Sequence, residues 1–199
     1  EPTAASPRYT GPVEIGKSAR FRATALREGG ENASYSREFA FSKSTGRPAV
    51  LNTKPNDSYT FEGASLLVDG YHSRPVFTSG AWLGYLDEPL DVTIDMGGEQ
   101  SYRSVELETL AEKGDWIFPP SSVTVWVSDN GTDFTEVASV TVPEAKAGDA
   151  DGIGRYRMQF PETSARYLKV VAQNAAAIPA WHPGAGSKGF LFVDEIVVE

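Results

Sequence analysis

Short segments in which apolar residues alternate with polar ones recur through most of the chain, and no long window has a helical period. Because successive residues of a strand point to opposite faces, this alternation predicts strands with one buried face. The apolar positions of the clearest segments are Val92, Ile94 and Met96; Val123, Val125 and Val127; and Tyr156, Met158 and Phe160. Turn dipeptides such as Asp69-Gly70 and Asn130-Gly131 separate them. The pattern predicts an all-β chain folded as an antiparallel sandwich or jelly roll.

Charge is distributed unevenly along the 199 residues and marks a boundary. Residues 1–50 hold 8 basic and 5 acidic residues, a net charge of +3, whereas residues 51–199 hold 10 and 22, a net charge of −12. Turn-forming residues lie between the two blocks, so we predict two domains, 1–47 and 48–199. The first contains three short strand-like segments, at 12–15, 20–26 and 34–41, which bury too little apolar surface alone. We expect them to pack on the second block or to belong to a truncated domain.

The composition excludes several classes of site. The absence of cysteine excludes disulfides, thiolate metal centres and a cysteine nucleophile, and His72 and His182 alone cannot form a three-histidine metal site. A net charge of −9 has the wrong sign for binding a phosphate backbone, so no nucleic-acid partner is expected. No uncharged apolar run approaches the ~20 residues that cross a bilayer, so no membrane span is predicted.

An ordered series of motifs in residues 48–199 resembles the discoidin-like, factor V/VIII C-type (F5/8 type C) β-sandwich and, within it, the carbohydrate-binding modules of family 32. The series runs through Leu67 to Gly70, Trp82 to Tyr85, Leu90 to Gly97, Pro120 to Gly131, Ala165 to Val170 and Phe192 to Val198. The resemblance implies a discoidin-like jelly-roll sandwich that binds glycans ending in N-acetylhexosamine or galactose.

The first domain resembles the small Ig-like or fibronectin-like β domain that follows the catalytic barrel in bacterial chitobiases and β-hexosaminidases. The segments that carry this resemblance are Glu1 to Thr3, Tyr9 to Pro12 and Phe21 to Ala25. A strand and turn that precede the first segment in that family are missing, so we expect a truncated copy. Together the two resemblances imply a monomeric accessory region of a secreted, periplasmic or cell-surface hexosaminidase, in contact with an upstream catalytic domain. The alternative is a structural or protein-contact module that positions that domain without binding free sugar.

Aromatic residues in loops are typical of sugar recognition, because a sugar ring has an apolar face of C–H groups and a rim of hydroxyls. In the discoidin-like fold three loops meet at one end of the sandwich, and they correspond here to 71–85, 112–118 and 180–188. The residues predicted to bind the glycan are Trp82, Tyr85, Glu112, Lys113, Asp115, Trp116, Trp181 and His182. Packing within the protein is the alternative for each of these tryptophans. Trp126, in the middle of a strand, is interpreted as structural.

The resemblance also implies one structural Ca²⁺. Members of the fold often hold such an ion with an aspartate from the Asp-Gly turn, a glutamate from the last strand and backbone carbonyls, a set that suits a hard cation. The corresponding residues are Leu66, Asp69, Tyr71, Arg74 and Glu195, with the carbonyls of Leu66, Tyr71 and Arg74 as ligands. An Asx turn at Asp69 with an exposed Glu195 is the alternative.

The Asp194-Glu195 pair is similar to the acidic pair of hexosaminidases, in which one residue assists and the other is the general acid. Here the pair lies in an apolar strand, so we expect the two side chains on opposite faces. The barrel that such a site needs, about 250 residues, does not fit into this chain. We therefore predict no catalytic activity.

Overall fold

The computed structural model describes residues 1–27, 29 and 33–199. Contacts between residues divide them into two compact units, Glu1–Phe41 and Ser42–Glu199. No helix within these described residues is long and apolar enough to cross a membrane.

The first unit contains an antiparallel hairpin of β1 (Ala19–Ala25) and β2 (Ala33–Phe39). An exposed ion pair joins Arg20 and Glu38 across the two strands. Two of the three predicted strands are therefore present, whereas residues 12–15 have no regular secondary structure. The Ig-like character of this unit stays a prediction.

The second unit is built from strands that pair only in antiparallel fashion. These strands are β3 (Ala49–Leu51), β4 (Leu83–Tyr85), β5 (Leu90–Ala111), β6 (Ser122–Ser128), β7 (Thr135–Thr141), β8 (Gly152–Gln173) and β9 (Leu191–Val198). Short 3-10 helices at 57–59, 63–68, 77–79 and 113–115 lie in the connecting segments.

The two longest strands, β5 and β8, have 22 residues each and run through both layers of a sandwich. In the first layer the beginning of β5 pairs with β3 and with the end of β8, and β6 joins β8 to β7. In the second layer the end of β5 pairs with the beginning of β8 and with β9, which pairs with β4. Register shifts between Asp95 and Gln100 and between Tyr102 and Ser104 mark the bends between the layers.

The apolar positions of the alternating segments meet in one core between the layers. Val92, Val125 and Val170 of the first layer and Leu107 and Ile196 of the second are completely buried. Each such side chain contributes about 1.5–3 kcal/mol of transfer free energy. The predicted all-β sandwich is confirmed.

Residues 42–47, on the first-domain side of the boundary read from charge, lie within the second unit. The hydroxyl of Ser44 is buried and donates a 2.6 Å hydrogen bond to the carbonyl of Ile196 in β9. The amide of Gly46 donates to the carbonyl of Val68 at 2.7 Å. A count of charged residues could not place this boundary, because the contacts that join residues 42–47 to the second unit are made by an uncharged hydroxyl and a backbone amide.

Candidate functional site

One end of the sandwich carries two of the loops predicted to bind sugar. The loop 112–118 follows β5, and the loop 180–188 leads towards β9. Backbone hydrogen bonds join the first of them to the start of β9, because Phe118 donates to the carbonyl of Phe190 at 2.9 Å and Phe190 donates to the carbonyl of Trp116 at 2.8 Å. We call the surface formed by Glu112, Asp115, Trp116 and Trp181 the rim.

Trp116 has a left-handed backbone conformation, with a φ of 65°, which is uncommon for a residue other than glycine. It ends the 3-10 helix at 113–115, and its amide donates to the carbonyl of Lys113 at 3.0 Å. In this conformation Trp116 is 42% exposed. Backbones in such sparsely populated regions persist only where the surroundings hold them, and they cluster at functional sites.

Gly184 packs directly on the indole of Trp116. A Cβ atom at Gly184 would lie 2.8 Å from both Cη2 and Cζ2 of that ring. Real Cβ atoms do not approach other atoms so closely. Only a glycine at this position therefore leaves room for the ring where it stands.

Trp181 contacts the same histidine as Trp116, namely His182, and Trp181 is 39% exposed. Its Nε1 donates to the carbonyl of Ala145 at 2.9 Å. The imidazole of His182 is nearly perpendicular to both indoles, with centroids 6.0 Å from that of Trp116 and 5.6 Å from that of Trp181. These are edge-to-face contacts of the kind that stabilise aromatic clusters. One buried ring thus supports two exposed ones.

His182 is itself held by hydrogen bonds within the protein. The amide of Gly184 donates to Nδ1 at 3.0 Å, and Nε2 lies 3.0 Å from the carbonyl of Lys113. Because Nδ1 accepts, the network assigns the proton to Nε2, which donates to that carbonyl. The predicted sugar contact through His182 is corrected by this burial: it is a positioning residue for the two indoles.

Lys113 is also buried and is engaged elsewhere. Its Nζ donates to the carbonyl of Asp149 at 2.9 Å and forms an ion pair with Asp151. Asp151 also accepts the amide of Lys113 at 3.1 Å, and the hydrogen bond from the ammonium lowers the pKa of Asp151. Lys113 therefore ties the loop 112–118 to the segment before β8 instead of offering its charge to a ligand.

Glu112 and Asp115 supply the polar part of the rim. Partial burial raises the pKa of Glu112, and the carboxylate of Asp115 raises it further. Asp115 is exposed beside Trp116. Carboxylates accept hydrogen bonds from several donors at once, so this pair can receive sugar hydroxyls next to an indole surface.

Two residues predicted to contact the sugar lie in the core instead. Trp82 is completely buried in a cluster with Leu110, Ile117 and Phe192, and its Nε1 donates to the carbonyl of Arg74 at 2.9 Å. Tyr85 is completely buried in the main core. Neither side chain reaches the surface, so the structure corrects both predictions. A motif in the sequence does not show how deeply its side chains are covered by residues from distant segments.

A polar cluster that sequence reasoning missed joins His72, in the loop between Asp69 and β4, to Glu108 of β5 and Arg155 of β8. Glu108 is 1% exposed, accepts a hydrogen bond from Nε of Arg155 at 2.8 Å and lies 3.0 Å from Nδ1 of His72. The hydrogen bond with Glu108 raises the pKa of His72. The sequence has no local signal for this cluster, because only the pairing of β5 with β8 places Glu108 opposite Arg155.

The proposed calcium ligands Asp69 and Glu195 lie at the same loop. Glu195 is completely buried, so the alternative with an exposed Glu195 does not hold. Its Oε2 accepts the amide of Gly70 at 3.2 Å, and its Oε1 is buried without a hydrogen-bond partner within the described part of the chain. Burial raises the pKa of Glu195 to about 10, and the charge of Asp69 acts in the same direction. A buried carboxylate oxygen lacking a partner, near a second carboxylate, fits a hard cation.

One of the three backbone carbonyls predicted to bind Ca²⁺ is already engaged within the protein. The carbonyl of Arg74 already accepts hydrogen bonds from Nε1 of Trp82 and from the amide of Val76, at 2.9 and 2.7 Å, which occupy both of its lone pairs. Within residues 1–27, 29 and 33–199 no group of three or more His, Asp or Glu side chains could hold a metal. The Asx turn is present as well, since Asp69 accepts the amide of Tyr71 at 2.7 Å. Because the carbonyl of Arg74 already accepts two hydrogen bonds, Arg74 is not a calcium ligand in our assignment.

Asp194 and Glu195 face the same loop, so the prediction that they point to opposite faces is wrong. Asp194 accepts the amide of Ser73 at 2.7 Å, and Glu195 accepts the amide of Gly70. The cause is a bulge in β9. Its pairing with β5 shifts register between Val193 and Ile196, so that Asp194 and Glu195 together lie opposite one residue of β5. Burial raises the pKa of Asp194 to about 8.

The F5/8 type C domain family matches residues 52–188, and the chain belongs to this family. Chitosan-binding module 1 of a chitosanase/glucanase from Paenibacillus sp. IK-5 is similar in structure, with a TM-score of 0.51 and 19% identity over 80% of this chain and 98% of that module. The module CpGH89CBM32-5 of Clostridium perfringens, solved with GalNAc-β-1,3-galactose, has a TM-score of 0.51 and 17% identity over 76% of this chain and 93% of that one.

Chitosan-binding module 2 of the same Paenibacillus enzyme, solved with chitotriose, has a TM-score of 0.50 and 18% identity over 79% of this chain and 98% of the module. No curated protein is significantly similar to this chain in sequence. At these identities the solved structures establish the shared fold.

Proposed function

We propose that this chain is a non-catalytic glycan-binding module whose rim contacts the sugar. The observation that carries the proposal is the pair of partly exposed indoles, Trp116 and Trp181, held edge-on by His182 beside the carboxylates of Glu112 and Asp115. Flat aromatic surface next to hydrogen-bond acceptors matches the two chemical faces of a sugar ring. Binding of GalNAc-β-1,3-galactose and of chitotriose by modules of the same fold supports this assignment.

The sugar that we propose is a terminal N-acetylhexosamine or galactose, and the setting is an accessory region of a secreted, periplasmic or cell-surface hexosaminidase. A surface site that buries about 150 Å² of sugar gains roughly 4 kcal/mol, which corresponds to millimolar affinity. Such weak binding is useful when the module is tethered to an enzyme, because the tether raises the effective concentration of the attached glycan.

Replacing the two indoles singly tests this function. Trp116→Ala and Trp181→Ala should each weaken the binding of GlcNAc, GalNAc or galactose about tenfold, since each removes a stacking surface. Tyr9→Ala is the matched control, because Tyr9 is 77% exposed in the other unit. Intrinsic fluorescence and isothermal titration would give the affinities. If none of the three sugars binds the wild-type chain at tens of millimolar, the proposal fails.

We also propose that Asp69 and Glu195, with the carbonyls of Leu66 and Tyr71, hold a structural Ca²⁺. The ion would supply positive charge to the buried carboxylate of Glu195 and the partly buried one of Asp69, and it would join the loop 71–85 to β9. Adding CaCl₂ to chelator-treated protein should raise its melting temperature, and Glu195→Gln should abolish the increase. Glu144→Gln, at an exposed position, is the control. A melting temperature of the wild type that Ca²⁺ and chelator leave unchanged would contradict the site.

A further inference from the structure

The outer surface of the first layer carries an aromatic and polar groove that shares no residue with the rim. Its strand positions alternate with the buried core positions Val92, Val125 and Val170, so they face away from the core. The groove has a volume of about 480 Å³ and is lined by Asp91 of β5, Thr124 and Trp126 of β6, Thr132 and Phe134 of the following turn, and Lys169, Val171 and Gln173 of β8. This volume lies within the ~300–1,000 Å³ that ligand sites occupy.

The strand register places the groove's groups side by side. Trp126 is directly opposite Lys169, while Val171 lies opposite Thr124 on one side and Asp91 on the other. An apolar platform therefore has donors and acceptors on both flanks. Trp126 is only partly buried and faces this groove.

The two charged groups of the groove are held in place by neighbours. Nζ of Lys169 lies 4.2 Å from the centroid of the Phe134 ring, a cation–π contact that fixes the ammonium above the sheet. Oδ1 of Asp91 accepts the side-chain amide of Asn52 at 2.7 Å. An ammonium has three donors and a carboxylate accepts several hydrogen bonds, so both retain capacity for a ligand.

We propose that this groove is a second carbohydrate site, which takes internal residues of a neutral, β-linked oligosaccharide chain. One carboxylate and one ammonium give the groove no net charge, and the chain carries a net charge of −9, so an anionic polymer is not favoured. A β-1,4-linked chain is extended and presents flat C–H faces to an indole, with hydroxyls along both edges. A groove on an open sheet face lets such a chain enter and leave, whereas the loop-end rim suits a chain terminus.

Titration of ¹⁵N-labelled full chain with chitohexaose and cellohexaose, and separately with GlcNAc and galactose, tests the second site. We expect a hexasaccharide to shift the amides of Trp126, Lys169 and Val171, and the monosaccharides to shift those of Trp116 and Trp181. Trp126→Ala should weaken hexasaccharide binding about tenfold, and Trp126→Phe should retain most of it, because a ring remains. Circular dichroism and melting temperature would confirm that each variant is folded.

The variants separate this inference from the proposed function. Loss of hexasaccharide binding in Trp126→Ala but not in Trp116→Ala supports the sheet-face site even if no monosaccharide binds the rim. Three results would overturn the second site. The hexasaccharide shifts could be confined to the rim, Trp126→Ala could bind hexasaccharide as tightly as the wild type, or neither hexasaccharide could shift the amide of Trp126.

Discussion

The position of the Trp116 indole depends on a neighbour that has no side chain. Gly184 leaves the space that the ring occupies, and the left-handed backbone of Trp116 points the ring to it. A rare backbone conformation and a close approach at one contact indicate that the protein maintains this exposed ring in one orientation.

Gly184→Ala should therefore weaken sugar binding about tenfold without removing any contacting group, because the added methyl displaces the indole. Gly148→Ala is the control, since a Cβ there meets nothing within 4 Å and its backbone is not left-handed. Affinity for GlcNAc by titration calorimetry is the readout. Wild-type affinity in Gly184→Ala would show that the orientation of Trp116 is unimportant.

At the scale of elements, the loop 112–118 is anchored by one buried charge. Lys113 joins it to the segment before β8 through Asp149 and Asp151. Removing the carboxylate partner of a buried ammonium lowers the free energy of unfolding. A substitution at Asp151 therefore tests whether this ion pair holds the loop in place.

Asp151→Asn should destabilise the fold by about 1 kcal/mol at neutral pH, a value reduced because Asp151 is half exposed. The pKa of Asp151 is lowered on folding, so its stabilisation is present above the usual value of 3.8 and is lost as the pH falls through the lowered one. The free energies of unfolding of the two proteins in urea should differ at pH 7, and the difference should shrink as the pH falls below 3.8. Asp149→Asn is the control, since Lys113 bonds its carbonyl. A difference that does not shrink with acid would contradict the assignment.

The sequence predicted the individual strands well, but it did not predict the contacts between distant segments. Alternation at Val92–Met96 and Val123–Val127 identified buried strands, because side-chain period is a local property. It did not identify Trp82 as core, since burial of that residue depends on Ile117 and Phe192 from distant segments. The irregularity that turns Asp194 and Glu195 to one side has no local signature either, because it exists only relative to β5.

For the whole molecule, the second unit contains its own core, the rim and the proposed calcium site. This unit begins at Ser42 and so contains Ser44, whose buried hydroxyl bonds the carbonyl of Ile196. A domain that began at residue 48 would lack this hydrogen bond.

A chain of residues 42–199 should therefore unfold cooperatively and bind sugar like the full chain, whereas residues 48–199 should be less stable by about 1–3 kcal/mol, since the carbonyls of Ile196 and Val68 lose their donors. Thermal unfolding of the two truncations measures this. Equal melting temperatures would place the boundary where the charge pattern does.

The central claim, that the rim binds a terminal sugar, is tested most directly by ¹⁵N–¹H shift mapping of the full chain with GalNAc, GlcNAc and galactose. We predict saturable shifts for the amides and indoles of Trp116 and Trp181 and for Asp115, with millimolar affinity for at least one sugar. Saturable shifts located only elsewhere, or none at tens of millimolar, would contradict the account.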